Sequence, residues 1–424
     1  MKTRKAIMKN KFSTVGLGTV LGVSLLLASC VDSELLLSEG GMTGTGISSG
    51  TITGFGSIYV NGIHFNSDEA VFFRDGEPAD GQDAFKLGER VTVIGNIDDD
   101  ETGVAEQVSF SSVIRGEMTS DVDAAGQLEV MGQTVLTNEL TVIQGIATLE
   151  DLAIGNLLEV SGYRNASGDV RASCITLLDA APDDHAAQKV MGVIEQFSIA
   201  QQTFRLRRLT VDFSQAALPD TPLANGQSVE VKTQQRVSDK KLLASRIQIK
   251  ERDAPLIENA YIEMEGLITA FDSLTAFTVN DQAVHTNGNT RFVGSTELSV
   301  DQAVEIEGQL DKSGVLVAHK VVLRHASDER HTRFRQNVLS VNSIDQSVTL
   351  MDGTVLRINN SSLILEERGP RHFQGSLRPE QLTTGDAVKG IAMQQADGAL
   401  LVLRLERHTL KAPVPPLSRS ENEY

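Results

Sequence analysis

Four consecutive acidic residues are the most conspicuous candidate for chemistry in this sequence: Asp98, Asp99, Asp100 and Glu101. Carboxylate oxygens on one loop can hold Ca²⁺, which prefers oxygen ligands. The alternating Asp/Asn spacing with a central Gly and a distal Glu, which defines a known Ca²⁺ loop, is not met. A solvated turn between two strands is therefore the favoured interpretation, and a metal site is the alternative.

Two basic clusters are candidates for binding an anionic partner. One cluster consists of Arg205, Arg207 and Arg208, and the other contains Arg333 and Arg335. Small OB-like barrels often bind oligomers across a strand face and its loops. The partner could be the acidic half of this chain, a polyanionic glycan or nucleic acid. The plain alternative is a solvent-facing strand with balanced charge.

The sequence contains no recognisable catalytic constellation. His325 and His331 flank a charged segment, but no Cys or third His stands near them, so a transition-metal site is not favoured. No Ser/His/Asp arrangement stands out. Carboxylate pairs for glycoside hydrolysis cannot be found from spacing, because such pairs meet only in space. We therefore predict that the protein is not an enzyme and has no cofactor.

The N-terminus carries a basic stretch and then an apolar run that is short for a membrane span. This run ends in the tetrapeptide LASC, whose last residue is Cys30. The tetrapeptide resembles the lipobox of bacterial lipoproteins, in which the Cys becomes the lipidated first residue. The resemblance implies a signal peptide over residues 1–30 and a lipid anchor on Cys30. Val31 at the next position implies export to the outer membrane. An ordinary secretory signal is the alternative.

Charge and composition restrict the partners. The chain has a net charge of −18, and residues 31–190 hold 27 acidic against 7 basic residues. An acidic surface repels phosphate backbones, which makes nucleic acid an unlikely partner. Trp is absent and aromatic residues make up 4% of the chain, so the usual stacking platforms for sugars or bases are missing.

Cys174 is the only cysteine besides Cys30, so no disulfide framework holds the chain together. Alignment of the repeated last strands places Cys174 level with Arg246 and Lys320. We therefore expect Cys174 to face outward, as a free thiol rather than as half of an intermolecular disulfide.

One short block recurs along the chain. Residues 87–95 read LGERVTVIG, a tight turn followed by an alternating apolar run that is typical of a half-buried strand. Related blocks occupy residues 154–162, 225–233, 300–308 and 384–392. A second block opens each unit, at positions 50, 116, 192, 266 and 340, which are 66, 76, 74 and 74 residues apart. Such a period indicates a tandem repeat.

Each unit carries about five short alternating strands. Three strands come first, then a less regular connection, then a two-stranded hairpin, which is the order of an OB-like barrel. The sequence therefore predicts an all-β chain, a tandem array of about five small OB-like β-barrel modules; a flat sandwich is the alternative. The predicted segments are a flexible tether at 31–46, modules at 47–112, 113–180, 189–252, 260–326 and 336–408, and a disordered tail at 409–424.

The first unit carries a family resemblance. Residues 46–62, GISSGTITGFGSIYVNG, together with the block at 87–95, are similar to a family of bacterial repeat lipoproteins and exported proteins. These proteins are built of tandem modules of a domain of unknown function. The resemblance implies OB-like modules and a cell-envelope location, and it implies no reaction.

Three functions follow as hypotheses. The first is a non-catalytic, lipid-anchored envelope protein whose repeated modules form a multivalent binding surface for an envelope protein or glycan. The second is a structural spacer or assembly protein without a small ligand. The third, least favoured, is a glycan-active enzyme. A binding array predicts the same groove in several modules, a spacer predicts rigid joints, and an enzyme predicts one deep pocket with convergent carboxylates.

Overall fold

The computed structural model describes residues 44–98, 101–178, 188–235, 237, 240–250, 260–293, 296–324, 331–368, 373–394 and 398–408. The predicted signal peptide, Cys30, most of the predicted tether and the predicted tail lie outside these residues. The structure is 58% strand and 3% helix, which confirms the all-β prediction. Within the described residues, no helix has the length and apolar character needed to cross a membrane.

The described residues form 33 strands in five modules. Module 1 contains β1 (Gly44–Gly54), β2 (Ile58–Val60), β3 (Ile63–Asn66), β4 (Val71–Arg74), β5 (Glu77–Pro78), β6 (Arg90–Ile97) and β7 (Thr102–Phe110). Module 2 contains β8 (Ile114–Glu117), β9 (Gln127–Val130), β10 (Gln133–Leu136), β11 (Val142–Gln144), β12 (Leu157–Arg164) and β13 (Val170–Leu177). Module 3 contains β14 (Gln188–Val193), β15 (Glu195–Ser198), β16 (Thr203–Leu206), β17 (Leu209–Asp212), β18 (Ser228–Thr233), β19 (Lys241–Leu243) and β20 (Arg246–Ile249).

Module 4 contains β21 (Tyr261–Ser273), β22 (Ala276–Val279), β23 (Gln282–His285), β24 (Arg291–Val293), β25 (Ala303–Leu310) and β26 (Leu316–Arg324). Module 5 contains β27 (His331–Asn342), β28 (Ser347–Leu350), β29 (Val355–Arg357), β30 (Leu363–Arg368), β31 (Phe373–Ser376), β32 (Ala387–Gln394) and β33 (Leu400–His408). Short 3-10 helices lie at Gln82–Ala84, Leu149–Asp151 and Pro379–Gln381.

The modules are closed or partly closed barrels. In module 1 the strands form the ring β1–β2–β3–β7–β6–β1, in which only the β3–β7 pair is parallel. This is the order of a five-stranded OB barrel. Modules 4 and 5 close in the same way. In module 2 a single bridge between Met118 and Val130 closes the ring, so the sandwich alternative is wrong.

The connection before the fourth long strand is more regular than the sequence predicted. In modules 1, 2, 4 and 5 it contains an extra short strand, which pairs in parallel with the last strand of the same barrel. In module 2 it also contains the short helical turn Leu149–Asp151, in which the side chains of Thr148 and Asp151 form a capping box. The third strand and the extra strand therefore pair with successive parts of the same last strand, as β3 and β4 do with β7.

Glycine ends the recurring block for a steric reason. At Gly95 the last strand bulges toward the backbone, and an added Cβ would lie 2.0 Å from the Val104 carbonyl oxygen. A Cβ added at Gly162 or Gly308 would lie 2.1 or 2.2 Å from the equivalent carbonyl oxygen, that of Arg171 or Val317. Module 3 has Thr233 instead, and its last strand is split into β19 and β20. Module 5 has Ala392 at this position, and both its bulge and its continuous last strand are kept, so the bulge accepts a small residue and not glycine alone.

Two pairs of modules share continuous sheets through their first strands. β1 and β21 join modules 1 and 4 in parallel, with Ile47 beside Ile262. β8 and β14 join modules 2 and 3 antiparallel, with Ile114 beside Val190. The last residues of the predicted flexible tether, 44–46, therefore belong to a strand, because β1 begins at Gly44 and lies between β6 and β21.

The strand register also corrects the predicted opening position of the fifth unit, residue 340. Gly50 lies opposite Val91, the first apolar residue of the recurring strand. In module 5 the residue opposite the matching Val388 is Gln336. The equivalent of Gly50 is thus Gln336 and not Ser340, and because it is not a glycine the sequence pattern concealed it.

Candidate functional site

A cavity of about 690 Å³ lies where modules 1, 2, 4 and 5 meet. No single module encloses it, since each contributes one wall. The residues that line the walls include Thr51, Glu139, Leu140, Tyr163, Ser173, Glu265, Glu305, Arg324, Arg333, Leu363, Ile391 and Met393.

A turn after β10 builds the wall from module 2. The Leu140 amide donates to Asn138 Oδ1 at 2.9 Å, and the Asn138 amide donates to Thr141 Oγ1 at 3.0 Å. Thr141 Oγ1 in turn donates to the Ala172 carbonyl at 2.8 Å on the last strand. These bonds hold the intervening Glu139 and Leu140 against the cavity, because each end of the turn is fixed.

The same turn recurs in other modules. Thr290 and Ser362 donate to carbonyls of the last strand at 2.7 Å, and each follows an Asn by three residues. The Asn-x-x-Thr/Ser spacing is therefore a sequence signal for this turn, and it is separate from the strand pattern that predicted the modules. It places polar groups at the same corner of modules 2, 4 and 5.

Module 5 grips the module 2 turn through two arginines. Arg333 Nε donates to Glu139 Oε1 at 2.5 Å. Arg404 Nη1 donates to the main-chain carbonyls of Glu139 and Thr141 at 3.0 and 2.7 Å. The contact joins segments that lie far apart in the chain, and it fixes one rim of the cavity.

Module 4 contributes a carboxylate that three modules share. Glu265 Oε2 accepts from the Thr51 amide at 3.2 Å and from the Tyr163 hydroxyl at 3.1 Å. Burial raises the pKa of Tyr163 well above its usual range, and the Glu265 charge adds to this shift. The phenol therefore stays a hydrogen-bond donor, and the Arg90 guanidinium lies 5.0 Å from its ring centre.

The cavity carries balanced charge. Glu139, Glu265 and Glu305 face three arginines, of which Arg324 is paired with Glu305 and Arg333 with Glu139. The Glu305 charge raises the pKa of Arg324, so the guanidinium stays charged. Ser173 Oγ is a buried hydroxyl in the cavity wall to which the described residues offer no hydrogen-bond partner. The site can thus offer donors and acceptors to a polar ligand of small net charge.

A buried carboxylate cluster lies beside the cavity. Oxygens of Glu263, Glu305 and Glu307 come within 4.8 Å of one another. Burial raises the pKa of Glu263 well above its usual range, and the charges of Glu305 and Glu307 raise it further. Lys320 Nζ lies 2.5 Å from Glu307, and Arg324 pairs with Glu305. Two cations of the protein therefore already neutralise this cluster.

A second buried network joins modules 1 and 2. Arg74 donates to Glu89 at 2.8 and 3.0 Å and to Glu159 at 2.7 Å, and its guanidinium lies 4.1 Å from the Phe110 ring centre. Glu89 and Glu159 are buried. Sequence spacing gave no signal for this network, because Arg74 and Glu89 lie 15 residues apart in module 1 and Glu159 lies in module 2.

Only part of the predicted acidic cluster can be placed. Asp98 and Glu101 are exposed at the turn between β6 and β7, while Asp99 and Asp100 lie outside the described residues. The Asp98 amide donates to the Thr102 carbonyl at 3.0 Å, which closes the turn. The hairpin position agrees with the predicted turn, and Ca²⁺ binding there stays a prediction.

The first basic cluster lies at the junction of modules 2 and 3. Arg208 forms an ion pair with Glu129 of module 2, and Arg207 Nη1 lies 3.7 Å from Glu195 Oε1. Arg205 Nη2 donates weakly to the Arg208 carbonyl at 3.5 Å. Among these contacts only the Arg208–Glu129 pair joins the two modules, and ligand binding by the three arginines stays a prediction.

The second basic cluster is divided. Arg333 is the cavity-rim residue that contacts Glu139, whereas Arg335 is exposed on β27 opposite Lys389. The structure therefore does not bring the two predicted basic clusters together into one surface. Arg333 alone of the five predicted arginines lines the cavity.

The predicted exposure of Cys174 is wrong. Its side chain is 1% exposed and belongs to the apolar cluster of module 1, which also includes Leu363 and Leu365 of module 5. The register prediction was correct, because Cys174 and Lys320 hold matching places before the bulge in their barrels. Cys174 points away from its own barrel, and neighbouring modules cover it. It is a free thiol, whose pKa burial raises far above the usual range.

Comparison with known proteins gives similarity at two levels. A family described as Domain of unknown function (DUF5666) matches residues 47–109, 115–176, 189–248 and 265–322, together more than half of the chain. No curated protein matches. Module 5 lies outside the matched segments, although its strand order is the same.

Two solved structures are weakly similar. The first, described as Drosophila Unr CSD456, is 14% identical over 51% of this chain and 99% of its own, with a TM-score of 0.15. The second, described as a multidomain protein with nucleic acid binding domains from Streptococcus pneumoniae, is 14% identical over 55% of this chain and 76% of its own, with a TM-score of 0.12. Likenesses of this size do not define a function for the chain. The matched segments and the repeated barrels together show that the chain belongs to the DUF5666 family, as a tandem array of its modules.

Proposed function

We propose that this chain is a non-catalytic binding protein of the cell envelope, which takes a small polar ligand in the four-module cavity. The enclosure of that cavity by modules 1, 2, 4 and 5 carries the proposal. Its volume of about 690 Å³ falls in the range of about 300–1,000 Å³ that is common for small-molecule sites. The strand pairing of modules 1 and 4, and the hydrogen bonds from Arg404 of module 5 to the module 2 turn, support such a site as preformed.

The lining favours a ligand with several polar groups and little net charge. Its carboxylates and arginines are equal in number and largely paired with each other. Hydroxyl groups of Thr51, Tyr163 and Ser173 add neutral donors and acceptors. A fragment of an envelope glycan or a zwitterionic peptide fragment meets these demands, and the glycan fragment is the first to test.

One composite site is favoured over a multivalent array of equivalent grooves. The first-strand edge that recurs in every module is occupied by another module in modules 1 to 4. A ligand that needed this edge would have to separate the modules. Binding at the cavity uses instead the corner that the modules share.

Anchoring by lipid on Cys30, and with it the outer-membrane location, belongs to the same proposal. It is supported by the basic start, the apolar run and the LASC tetrapeptide. Substitution of Cys30→Ser should move the protein from the membrane fraction to the soluble fraction. Retention of the variant in the outer membrane would contradict a lipid anchor and leave the cavity proposal intact.

A structural role without a ligand is the second candidate. The observation that favours it is the continuity of the sheets across two module pairs, which makes the joints rigid. The two roles differ in one measurable respect, because only a binding protein is stabilised by its ligand.

Calorimetric unfolding of the full chain with fractionated envelope glycans and peptides tests the proposal. A ligand at a hundred times its Kd should stabilise the protein by about 2.7 kcal/mol. Ala125→Trp places a large side chain at the exposed rim and should abolish this shift, while the matched control Ala200→Trp on an exposed turn of module 3 should keep it. Equal shifts in both variants would place the ligand elsewhere, and no shift with any fraction would favour the structural role.

A further inference from the structure

The first strands of the five modules can be compared residue by residue. Each has one residue opposite the first apolar residue of the recurring strand, which supplies a common reference. These reference residues are Gly50, Gly116, Gly192, Gly266 and Gln336. Positions counted back from them are therefore equivalent.

Two residues before the reference, four modules pair with the first strand of another module. The residues are Ser48, Ile114, Val190 and Met264, which are 1%, 0%, 0% and 7% exposed. Modules 1 and 4 pair with each other in parallel, and modules 2 and 3 pair antiparallel. This edge is thus the recurrent docking edge of the module.

Module 5 differs at this edge. β27 pairs with β28 and β32, and within the described residues no first strand of another module lies along it. Thr332, Arg335 and Gln336 are exposed. Their equivalents in module 1 are Gly46, Ser49 and Gly50, which are all buried. The fifth docking edge therefore faces outward where the other four are covered.

We infer that the outer edge of β27 docks an extended acidic segment of a partner protein, which adds to the sheet as one more strand. Strand addition supplies main-chain hydrogen bonds, and side chains supply selectivity. Val338 N donates to the Asp386 carbonyl on the β32 side. Because main-chain groups alternate between the two edges of a strand, the Arg335 amide faces the opposite, outer edge.

Charge selects an acidic partner. Arg335 is exposed at this edge, and its neighbour Arg333 already pairs with Glu139. Residues 331–408 hold 9 basic and 8 acidic residues, so the strong acidic excess of residues 31–190 does not extend to module 5. The molecule already contains an acidic strand on the same edge of another module: β21, with Glu263 and Glu265, lies along the uncharged β1, where Ser48 and Thr51 donate to the two carboxylates.

Charge also disfavours a second copy of this chain as the occupant. Antiparallel pairing of two β27 strands about Phe334 would place Arg333 opposite Arg335. Parallel pairing in register would place each arginine beside its own copy. Like charges directly opposite each other destabilise a sheet, so the edge is better suited to a different, acidic strand.

The test uses the full chain and a fluorescent, capped peptide that copies residues 260–268, AYIEMEGLI. Anisotropy should show binding of this peptide and not of a version with both Glu residues replaced by Lys. Arg335→Glu should weaken binding at least tenfold. Arg335→Pro, which removes the outward amide, should do the same. The matched control Lys312→Glu, at an exposed turn of module 4, should bind as the unmodified chain does.

Thermal unfolding confirms that each variant is folded before its affinity is compared. Absence of peptide binding, or equal binding by Arg335→Glu, would overturn the inference. A dimer seen in sedimentation and lost in Arg335→Pro would overturn it in favour of a second copy. Binding of a single-stranded oligonucleotide that is lost in Arg335→Glu, without peptide binding, would overturn it in favour of a polyanion. None of these outcomes depends on the cavity, so the proposed function is tested separately.

Discussion

Modules 1 and 4 are joined by parallel strands, whereas modules 2 and 3 are joined by antiparallel strands at the same edge of the barrel. The first joint has four paired positions, from Gly46 beside Tyr261 to Ser49 beside Met264. The second has only two, at Lys189 and Val190. The same edge therefore supports both directions, because main-chain hydrogen bonding does not itself select one.

Packing compensates for the shorter joint. The apolar interiors of modules 2 and 3 form one cluster, which runs from Ile114 to Ile247. Modules 1 and 4 keep separate interiors, although Ile47 of module 1 belongs to the cluster of module 4 and Ile94 packs against it, while Tyr261 of module 4 packs against the cluster of module 1. One joint is thus held by strand register and a few side chains that cross it, and the other by a merged core.

The largest expected effect comes from Lys189, which ties the second joint to module 1. Its Nζ lies 2.7 Å from Asp75 and 3.0 Å from Glu230, and the side chain is 3% exposed. Lys189→Ala leaves two carboxylates without this cation, and breaking a buried ion pair costs about 4 kcal/mol. Urea unfolding of the full chain should show this loss.

A matched control separates burial from charge. Lys232 contacts the same Glu230 carboxylate at 3.6 Å but is 28% exposed. Because solvent screens such a pair, Lys232→Ala should cost less than about 1 kcal/mol. Equal losses for the two variants would mean that the second joint does not depend on the buried position of Lys189.

The next effect concerns the inserted side chain of the first joint. Ile47 is fully buried in the cluster of module 4, so Ile47→Ala should destabilise module 4 by about 3 kcal/mol. Hydrogen exchange should accelerate in β21 and β25, although the substitution lies in module 1. The control Val60→Ala lies in the interior of module 1 and should accelerate exchange there. Faster exchange confined to module 1 in both variants would contradict the packing of Ile47 into the interior of module 4.

The sequence predicted the barrels well because their determinants are local. Alternating apolar residues build the strands, and Gly95 and its equivalents mark the bulge against the last strand. In module 3, Thr233 replaces that glycine and the last strand is interrupted, whereas in module 5 the smaller Ala392 replaces it and the last strand is continuous. The opening position of the fifth unit was misplaced, because the pattern depends on a glycine at that position and module 5 has Gln336 there.

The joints and the cavity could not be predicted in the same way. Pairing of β1 with β21 is made by main-chain groups, which leave no side-chain pattern, and β1 begins inside the segment that the sequence predicted as a flexible tether. Cys174 was correctly placed on the outside of its barrel, yet module 1 covers it. The cavity of about 690 Å³ exists only after four modules meet, so no motif within one repeat encodes it.

The smallest expected effect uses pH to distinguish the joints. At the first joint, Ser48 Oγ donates to Glu263 at 3.2 Å, and burial raises the pKa of Glu263 well above its ordinary 4.5. The folded protein therefore binds this proton more tightly than the unfolded chain does. Stability from this group rises as pH falls through the raised pKa and levels off below about 4.5. At the second joint, Lys189 and hydrogen bonds from Ser112 lower the pKa of Asp75 despite its burial, so that contribution is lost only in stronger acid.

Glu263→Gln removes the first of these titrations while keeping a polar side chain of similar size. At neutral pH the variant should be more stable than the unmodified chain, by on the order of 1 kcal/mol, since one pKa unit corresponds to about 1.4 kcal/mol. The difference should shrink as pH is lowered toward 4.5, because the unmodified carboxyl then becomes neutral as well. Unfolding midpoints measured between neutral and acidic pH give this curve. A constant difference would show that Glu263 does not titrate in this range, and a less stable variant at neutral pH would show that its charge holds the first joint together through Lys320 and Arg324.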